Sequence, residues 1–252
     1  MDARLAHELD RLGGGASWVH ALDARAKLIF TCAFLLVVSS FPKHATIWLL
    51  PLAAWPAALA IAAGVRGRTI IRGLLVAMPF ALLAGLFNPF FDRAPAVLLP
   101  GVLLPGGWLS LLSILIRCAL AVSMGVVLAA TTPLPRLSAA FRRLGVPVLL
   151  AETLLLLHRY LLVLAGEAAR IEQSRALRAP RLRRARLANA GPMLASLLAR
   201  SLDRAERVYR CMKVRGFNGT LPILEDSRWS GRDSLLLLAG CASCLAIRWI
   251  GA

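Results

Sequence analysis

Residues 108–130, WLSLLSILIRCALAVSMGVVLAA, decide the fold class of this chain. They form an apolar run of 23 residues with a single charge, Arg117. A helix needs about 20 consecutive apolar residues to cross the hydrocarbon core of a bilayer, so the run is predicted to span a membrane. Because a charge at that depth is costly, Arg117 has three interpretations: a contact with another subunit, a side chain that reaches the interface, or a span with different ends.

Four further apolar runs of similar character cover residues 26–40, 46–64, 73–88 and 234–250. Pro79 in the third of these is compatible with a membrane helix, where neighbouring groups can satisfy the carbonyl that proline frees. The sequence therefore predicts an all-α membrane protein with about five transmembrane helices. We divide it into a cytoplasmic N-terminal segment (residues 1–25), a region of four spans (26–130), a cytoplasmic region of coupling helices (131–232) and a last span (233–252).

Composition supports this fold class. The chain has 252 residues, of which 58% are hydrophobic, and a net charge of +17, whereas soluble domains are about 45–50% apolar. Disordered and collagen-like proteins are excluded by this apolar content. The five cysteines are scattered and odd in number, which does not fit a secreted disulfide framework.

The distribution of lysine and arginine predicts the orientation. With the N-terminus inside, the inner segments hold 26 of these side chains and the outer segments hold three, namely Lys43, Arg93 and Arg248. Positive residues favour the cytoplasmic side. The first 25 residues do not resemble a cleavable signal, so the first span is expected to direct insertion itself.

The cytoplasmic region 131–232 carries 19 basic and seven acidic residues, and its apolar residues recur at helical spacing. One amphipathic helix follows Pro192, with Arg200, Asp203, Arg204, Glu206, Arg207 and Arg210 on its polar face. Its predicted buried stripe contains Leu194, Leu197, Ser201, Ala205, Val208 and Met212. An earlier stripe contains Leu154, Leu157, Leu161, Leu164, Ala168 and Ile171.

Residues 149–166 are apolar enough to be read as a sixth span. They contain Glu152, His158 and Arg159, and a span here would move the following basic residues to the outer side, against the positive-inside rule. We therefore predict that this piece lies along or under the membrane.

Both long helices of region 131–232 are predicted to end beside an arginine. The first ends before Pro180, close to Arg178, and the second ends at Gly216, a residue suited to the left-handed conformation that terminates helices. A cation is favoured at a helix C-terminus, and an arginine there can pair with a carboxylate of a partner. The two tips are therefore candidate docking points.

At these positions the chain resembles the transmembrane T component of energy-coupling factor transporters, in the cobalt-type CbiQ branch. The similarity extends over nearly the whole chain. It is carried by the entry motif His20-Ala-Leu-Asp-Ala-Arg-Ala-Lys-Leu28, the outer loop Asn88-Pro-Phe-Phe91, Arg159-Tyr160, Glu167-Ala168 and Arg204-Ala-Glu-Arg-Val-Tyr209. The family's two Ala-Arg-Gly signatures are similar to Leu177-Arg178-Ala179 and to Val214-Arg215-Gly216, with Arg175 as a competing choice for the first coupling arginine.

The resemblance implies a non-catalytic scaffold in the bacterial cytoplasmic (inner) membrane. Its helix tips would insert Arg178 and Arg215 into grooves of a pair of ATP-binding cassette ATPases, which bind the ATP. The resulting motion would pass to a substrate-binding membrane subunit, with a small accessory membrane subunit as a further partner. The implied cargo is cobalt or nickel ion, and a vitamin stays open. No cofactor or metal is expected on this chain itself.

Several other functions are disfavoured by the residues. No G-x-x-x-x-G-K-[ST] phosphate loop occurs, the four histidines lack a metal-binding spacing, and no catalytic set is evident. The spacing Cys241-x-x-Cys244 lies in an apolar span, where helix packing explains it. The arginine-rich run 181–186 fits either anionic lipid or an ATPase. The whole basic region 131–232 has few aromatic residues and no recognition motif of the kind expected for nucleic-acid binding. A self-sufficient secondary transporter is the remaining alternative.

Overall fold

Helices make up nearly all of the chain that the computed structural model describes, which is residues 17–42, 46–88, 95–99, 102–178, 190–220 and 229–250. The chain divides into two compact units. In described residues, the bundle unit comprises 17–140 and 229–250, and the basic unit comprises 141–178 and 190–220. The all-α fold class is confirmed.

The described helices of the bundle unit follow the predicted runs closely. They are α1 (Trp18–Ala21), α2 (Ala24–Ser40), α3 (Thr46–Leu49), a 3-10 turn (Pro51–Ala53), α4 (Ala54–Ala62), α5 (Gly67–Gly85), α6 (Gly106–Thr131), α7 (Leu134–Arg143) and α10 (Gly231–Ile250). The last turn of α7 extends into the basic unit. The basic unit also contains α8 (Val148–Arg178) and α9 (Ala190–Val214).

Strands β1 (Pro95–Leu99) and β2 (Val102–Pro105) form an antiparallel hairpin that the sequence did not predict. Its register pairs Pro95 with Pro105 and Leu99 with Val102. It lies in the connection between the third and fourth predicted spans. A hairpin satisfies part of its own backbone hydrogen bonding, so it is compatible with a short connection between helices.

The second predicted span is an interrupted helix. Pro51 begins a 3-10 turn between α3 and α4, but Leu50 and Ala54 keep right-handed helical dihedrals. A proline removes one hydrogen-bond donor and crowds the preceding turn, which accounts for the change in helix type. By contrast, α5 passes through Pro79 without a break, as expected.

The core of the bundle unit is built around α2. Phe30, Phe34 and Val38, four residues apart, are buried on one face of this helix. They belong to a single apolar cluster with residues from α6 and α10 that includes Met124 and Cys244. The packing of α10 on α2 is close at Gly240, where an added Cβ would collide with the ring of Phe30.

Four described helices are long and apolar enough to cross a membrane: α5, α6, α10 and residues Val148–Ser174 of α8. Helix α2 has 17 residues, which is short of the roughly 20 that a perpendicular span needs. The predicted position of residues 149–166 along the membrane rests on charge distribution and stays a prediction, because their length and composition also permit a span.

The predicted buried stripe of α9 is partly wrong. Leu194 and Ala205 are exposed, whereas Met193 and Arg204 are half-buried together with Leu197, Ser201, Val208 and Met212. In α8, Leu157 and Leu161 are likewise exposed, while the other four predicted stripe residues are half-buried. Helical periodicity identifies an apolar arc, but only the packing partner decides which part of that arc becomes covered.

Candidate functional site

The C-terminal tip of α9 has a well-defined hydrogen-bonded end. Gly216 has a φ of 83°, its amide donates to Lys213 O at 3.0 Å, and the amide of Phe217 donates to Met212 O at 3.0 Å. These two bonds are those of a Schellman motif, in which a left-handed residue ends the helix. The predicted helix end at Gly216 is confirmed.

The predicted coupling residues at this end of α9 are exposed. Val214 is 89% exposed, and Arg215 and Gly216 are exposed as well. Arg215 thus lies immediately after the last helical residue, where the partial negative charge of the helix C-terminus favours a cation. An exposed apolar side chain beside an exposed cation is a combination suited to contact with another protein.

The tip of α8 is described only in part. The helix ends at Arg178, so that both Arg175 and Arg178 fall within its last turn. Leu177 is 79% exposed. Ala179 and the arginine-rich run 181–186 lie outside the described residues, and the choice between Arg175 and Arg178 stays open.

Helices α8 and α9 are joined by an ion-pair cluster that the sequence did not predict. Glu167 of α8 accepts from Arg204 Nη2 at 3.1 Å and from Arg200 Nη1 at 3.5 Å. Glu167 and Arg204 are part-buried, whereas Arg200 is exposed. Both arginines were assigned only to the polar face of α9, because periodicity does not reveal a partner 33 or 37 positions away.

A second ion pair fixes the beginning of α8. Glu152 is buried and its Oε1 accepts from Arg142 Nη1 at 3.4 Å. A buried carboxylate is expected to need such a partner. This contact joins the beginning of α8 to the last turn of α7.

The N-terminal motif His20–Leu28 has a structural role in the bundle unit. Asp23 caps α2, since its Oδ1 accepts from the amide of Arg25 at 2.9 Å, and its own amide donates to Asp233 Oδ1 at 2.9 Å. Lys27 is buried and its Nζ donates to Thr131 O at 3.2 Å. These contacts fix the beginning of α2 to the beginning of α10 and the end of α6.

Two arginines meet the opposite end of α2. Arg117 Nη2 donates to Phe41 O and to Pro42 O, both at 2.9 Å, and Arg248 Nε donates to Ser40 Oγ at 3.3 Å. The structure gives Arg117 partners within this same chain, a contact that none of the three interpretations describes. The guanidinium satisfies carbonyls that a helix end leaves without intrahelical donors.

The cysteines of α10 take part in packing. Cys244 is buried in the apolar cluster, with Cys241 packed against that cluster. Within the described ranges, no group of three His, Cys, Asp or Glu side chains is arranged to hold a metal ion.

Comparison with known proteins agrees with the sequence resemblance. Residues 15–224 match the model of the CbiQ family, which is described as cobalt transport protein. The chain is also 29% identical over 177 residues to the cobalt transport protein CbiQ of Rhodobacter capsulatus, an alignment that covers 68% of this chain and 72% of that protein.

Proposed function

The chain belongs to the CbiQ family of cobalt transport proteins, and on that premise we propose that it is the coupling subunit of an ATP-driven, energy-coupling factor type importer. In this proposal it is a multi-pass protein of the bacterial inner membrane with a cytoplasmic N-terminus. It is not itself catalytic, and the ATP binds to a pair of ATP-binding cassette partner subunits. The most suitable cargo is cobalt ion, with nickel ion as the related choice.

The main structural support for the proposal is the backbone geometry of the α9 tip. The Schellman motif at Gly216 gives Arg215 a defined backbone position, and the neighbouring Val214 is almost fully exposed. A guanidinium can form two parallel hydrogen bonds to a carboxylate. In the proposed complex Arg215 makes that contact in a groove of one ATPase subunit, and Arg178 makes the corresponding contact in the other.

The ion pairs of the basic unit suggest how motion would be passed on. Glu167 connects α8 to α9 through Arg204, so a force applied at one tip also acts on the other helix. Closure of the ATPase pair would move both tips, and the coupled helices would transmit that movement to a substrate-binding membrane subunit. The cargo then enters through that subunit.

Co-purification tests this proposal. We would produce the chain in its source bacterium, extract it in mild detergent, and identify retained proteins by mass spectrometry, for the wild type and for a variant with Arg178→Glu and Arg215→Glu. A matched control is Arg207→Glu, because Arg207 is exposed on α9 two turns before the tip. The wild type and the control should retain ATP-binding cassette subunits, and the double variant should lose them.

Two outcomes of this experiment would contradict the proposal. If the double variant retains the ATPases as well as the wild type does, the assigned arginines are wrong. If the wild type is isolated alone and transports metal ion in liposomes, the chain is a self-sufficient secondary transporter. The accompanying membrane subunit, where one is retained, can be tested for cobalt and nickel binding to identify the cargo.

A further inference from the structure

A shallow apolar groove runs along one face of α10. It is lined by Ala242, Leu245, Ala246, Arg248 and Trp249. The spacing of residues 242, 245, 246 and 249 places them on one side of a helix. Alanine at two of these positions leaves room between the larger exposed side chains of Leu245 and Trp249.

Arg248 fixes a positive charge at the end of this groove. Its Nε donates to Ser40 Oγ at 3.3 Å, and its guanidinium lies 5.2 Å from the centroid of the Phe41 ring. Its Nη1 is buried without a hydrogen-bond partner among the described residues, and in the same part of the chain no carboxylate forms an ion pair with Arg248. The side chain is therefore oriented by the protein, and no carboxylate of the described residues compensates its charge.

We propose that this groove is a binding site for an anionic phospholipid, with the phosphate on Arg248 and an acyl chain along Ala242 and Ala246. Guanidinium groups form charge-assisted, often bidentate hydrogen bonds to phosphate. Trp249 is 88% exposed and belongs to the residue type that concentrates at the membrane–water interface. The groove thus combines an interfacial anchor, a cation for the headgroup and an apolar surface for the chain.

The dimensions of the face suit an acyl chain. Leu235 and Leu238 are also exposed, so the apolar face continues for 14 residues before Trp249, or about 21 Å at the helical rise. One leaflet of the hydrocarbon core is about 15 Å thick. An extended peptide would leave backbone groups without partners against these apolar side chains, whereas an acyl chain has no such groups.

Lipid retention measured by native mass spectrometry tests the site. The chain would be purified in mild detergent and exchanged into phosphatidylglycerol or phosphatidylcholine. The wild type should retain one phosphatidylglycerol in preference to phosphatidylcholine. Arg248→Gln should lower phosphatidylglycerol retention at least fivefold and remove the preference. Ala246→Phe should lower retention of both lipids, because it fills the groove and leaves Arg248 in place.

Arg210→Gln is the matched control, since Arg210 is an exposed arginine on α9 that pairs with Glu206. It should retain lipid as the wild type does. The proposal is overturned if both Arg248→Gln and Ala246→Phe keep wild-type retention and preference. It is also overturned if a photo-crosslinker at position 245, used in intact membranes, labels a protein rather than lipid, because the groove is then a protein interface.

Discussion

The backbone amide of Asp23 donates a hydrogen bond to Oδ1 of Asp233 at 2.9 Å, across 210 positions of sequence. The second oxygen of Asp233 accepts from the amide of Ser230 at 2.7 Å, and the residue is only 1% exposed. One carboxylate therefore satisfies two backbone donors at the point where α2 and α10 both begin. The aspartate at position 23 is explained by its side chain, which caps α2, whereas its contact with α10 uses the backbone amide, which any residue except proline supplies.

Asp233→Ala should destabilise the bundle unit. The change removes the acceptor of two amides, of which that of Asp23 is buried, and an unsatisfied buried donor costs about 1–3 kcal/mol. We expect a clearly lower midpoint of thermal unfolding in detergent, with a smaller decrease for Asp233→Asn, which keeps one oxygen acceptor. Asp203→Ala, at an exposed position of α9, is the control. Equal midpoints for Asp233→Ala and the wild type would show that the contact contributes nothing to stability.

Arg117→Leu tests the contact at the other end of α2. The change removes the donors to Phe41 O and Pro42 O, and hydrogen bonds that involve a charged group contribute about 1.5–3 kcal/mol. The desolvation cost of the guanidinium disappears at the same time, so the net loss should be about 1–2 kcal/mol. Thermal unfolding in detergent measures this loss of stability. The control is Arg68→Leu, at the exposed beginning of α5.

Arg117→Lys should have a stability between those of the wild type and Arg117→Leu, because an ammonium keeps the charge but lacks the planar geometry of the guanidinium. A leucine variant more stable than the wild type would mean that desolvation outweighs the two hydrogen bonds.

Gly240→Ala should weaken the packing of α10 on α2. A Cβ at this position would collide with the ring of Phe30, which is almost completely buried and cannot easily move away. Overpacking of this kind costs about 1–3 kcal/mol. Gly125→Ala is a matched control in α6, because an added Cβ there has open space around it. We expect a lower midpoint of thermal unfolding for Gly240→Ala and not for Gly125→Ala. A similar decrease for both variants would contradict the packing argument.

The apolar runs of this chain could be read from the sequence with good accuracy. The span predicted at 108–130 is α6, Gly106–Thr131, and the run at 26–40 is α2, Ala24–Ser40. Length and hydropathy are local properties, so they are visible without knowledge of the fold. The helix end at Gly216 was predictable for the same reason, since a left-handed glycine acts within one turn.

Contacts between distant residues could not be predicted in this way. The partners of Arg117 lie 76 and 75 positions earlier, and Glu167 meets arginines on a different helix. Leu194 fits the apolar pattern of α9, but its side chain is exposed. Such outcomes depend on how the helices pack, which a periodic pattern does not determine.

Gly216→Ala should separate the geometry of the α9 tip from its charge. The residue has a φ of 83°, and a left-handed conformation costs an L-residue with a side chain roughly 1–2 kcal/mol. The cost falls on the last turn of α9, so the position of Arg215 should become less defined. We expect capture of ATP-binding cassette subunits to decrease several-fold in the co-purification described above, with little change in thermal unfolding.

Gly191→Ala is the control for this variant, because position 191 lies in the first turn of α9 and has open space around it. Alanine is favoured over glycine within a helix, so capture and stability should be unchanged or slightly higher. If Gly216→Ala captures the ATPases normally while Arg215→Glu does not, the charge alone is required. If neither substitution affects capture, α9 does not make the contact with the ATPase.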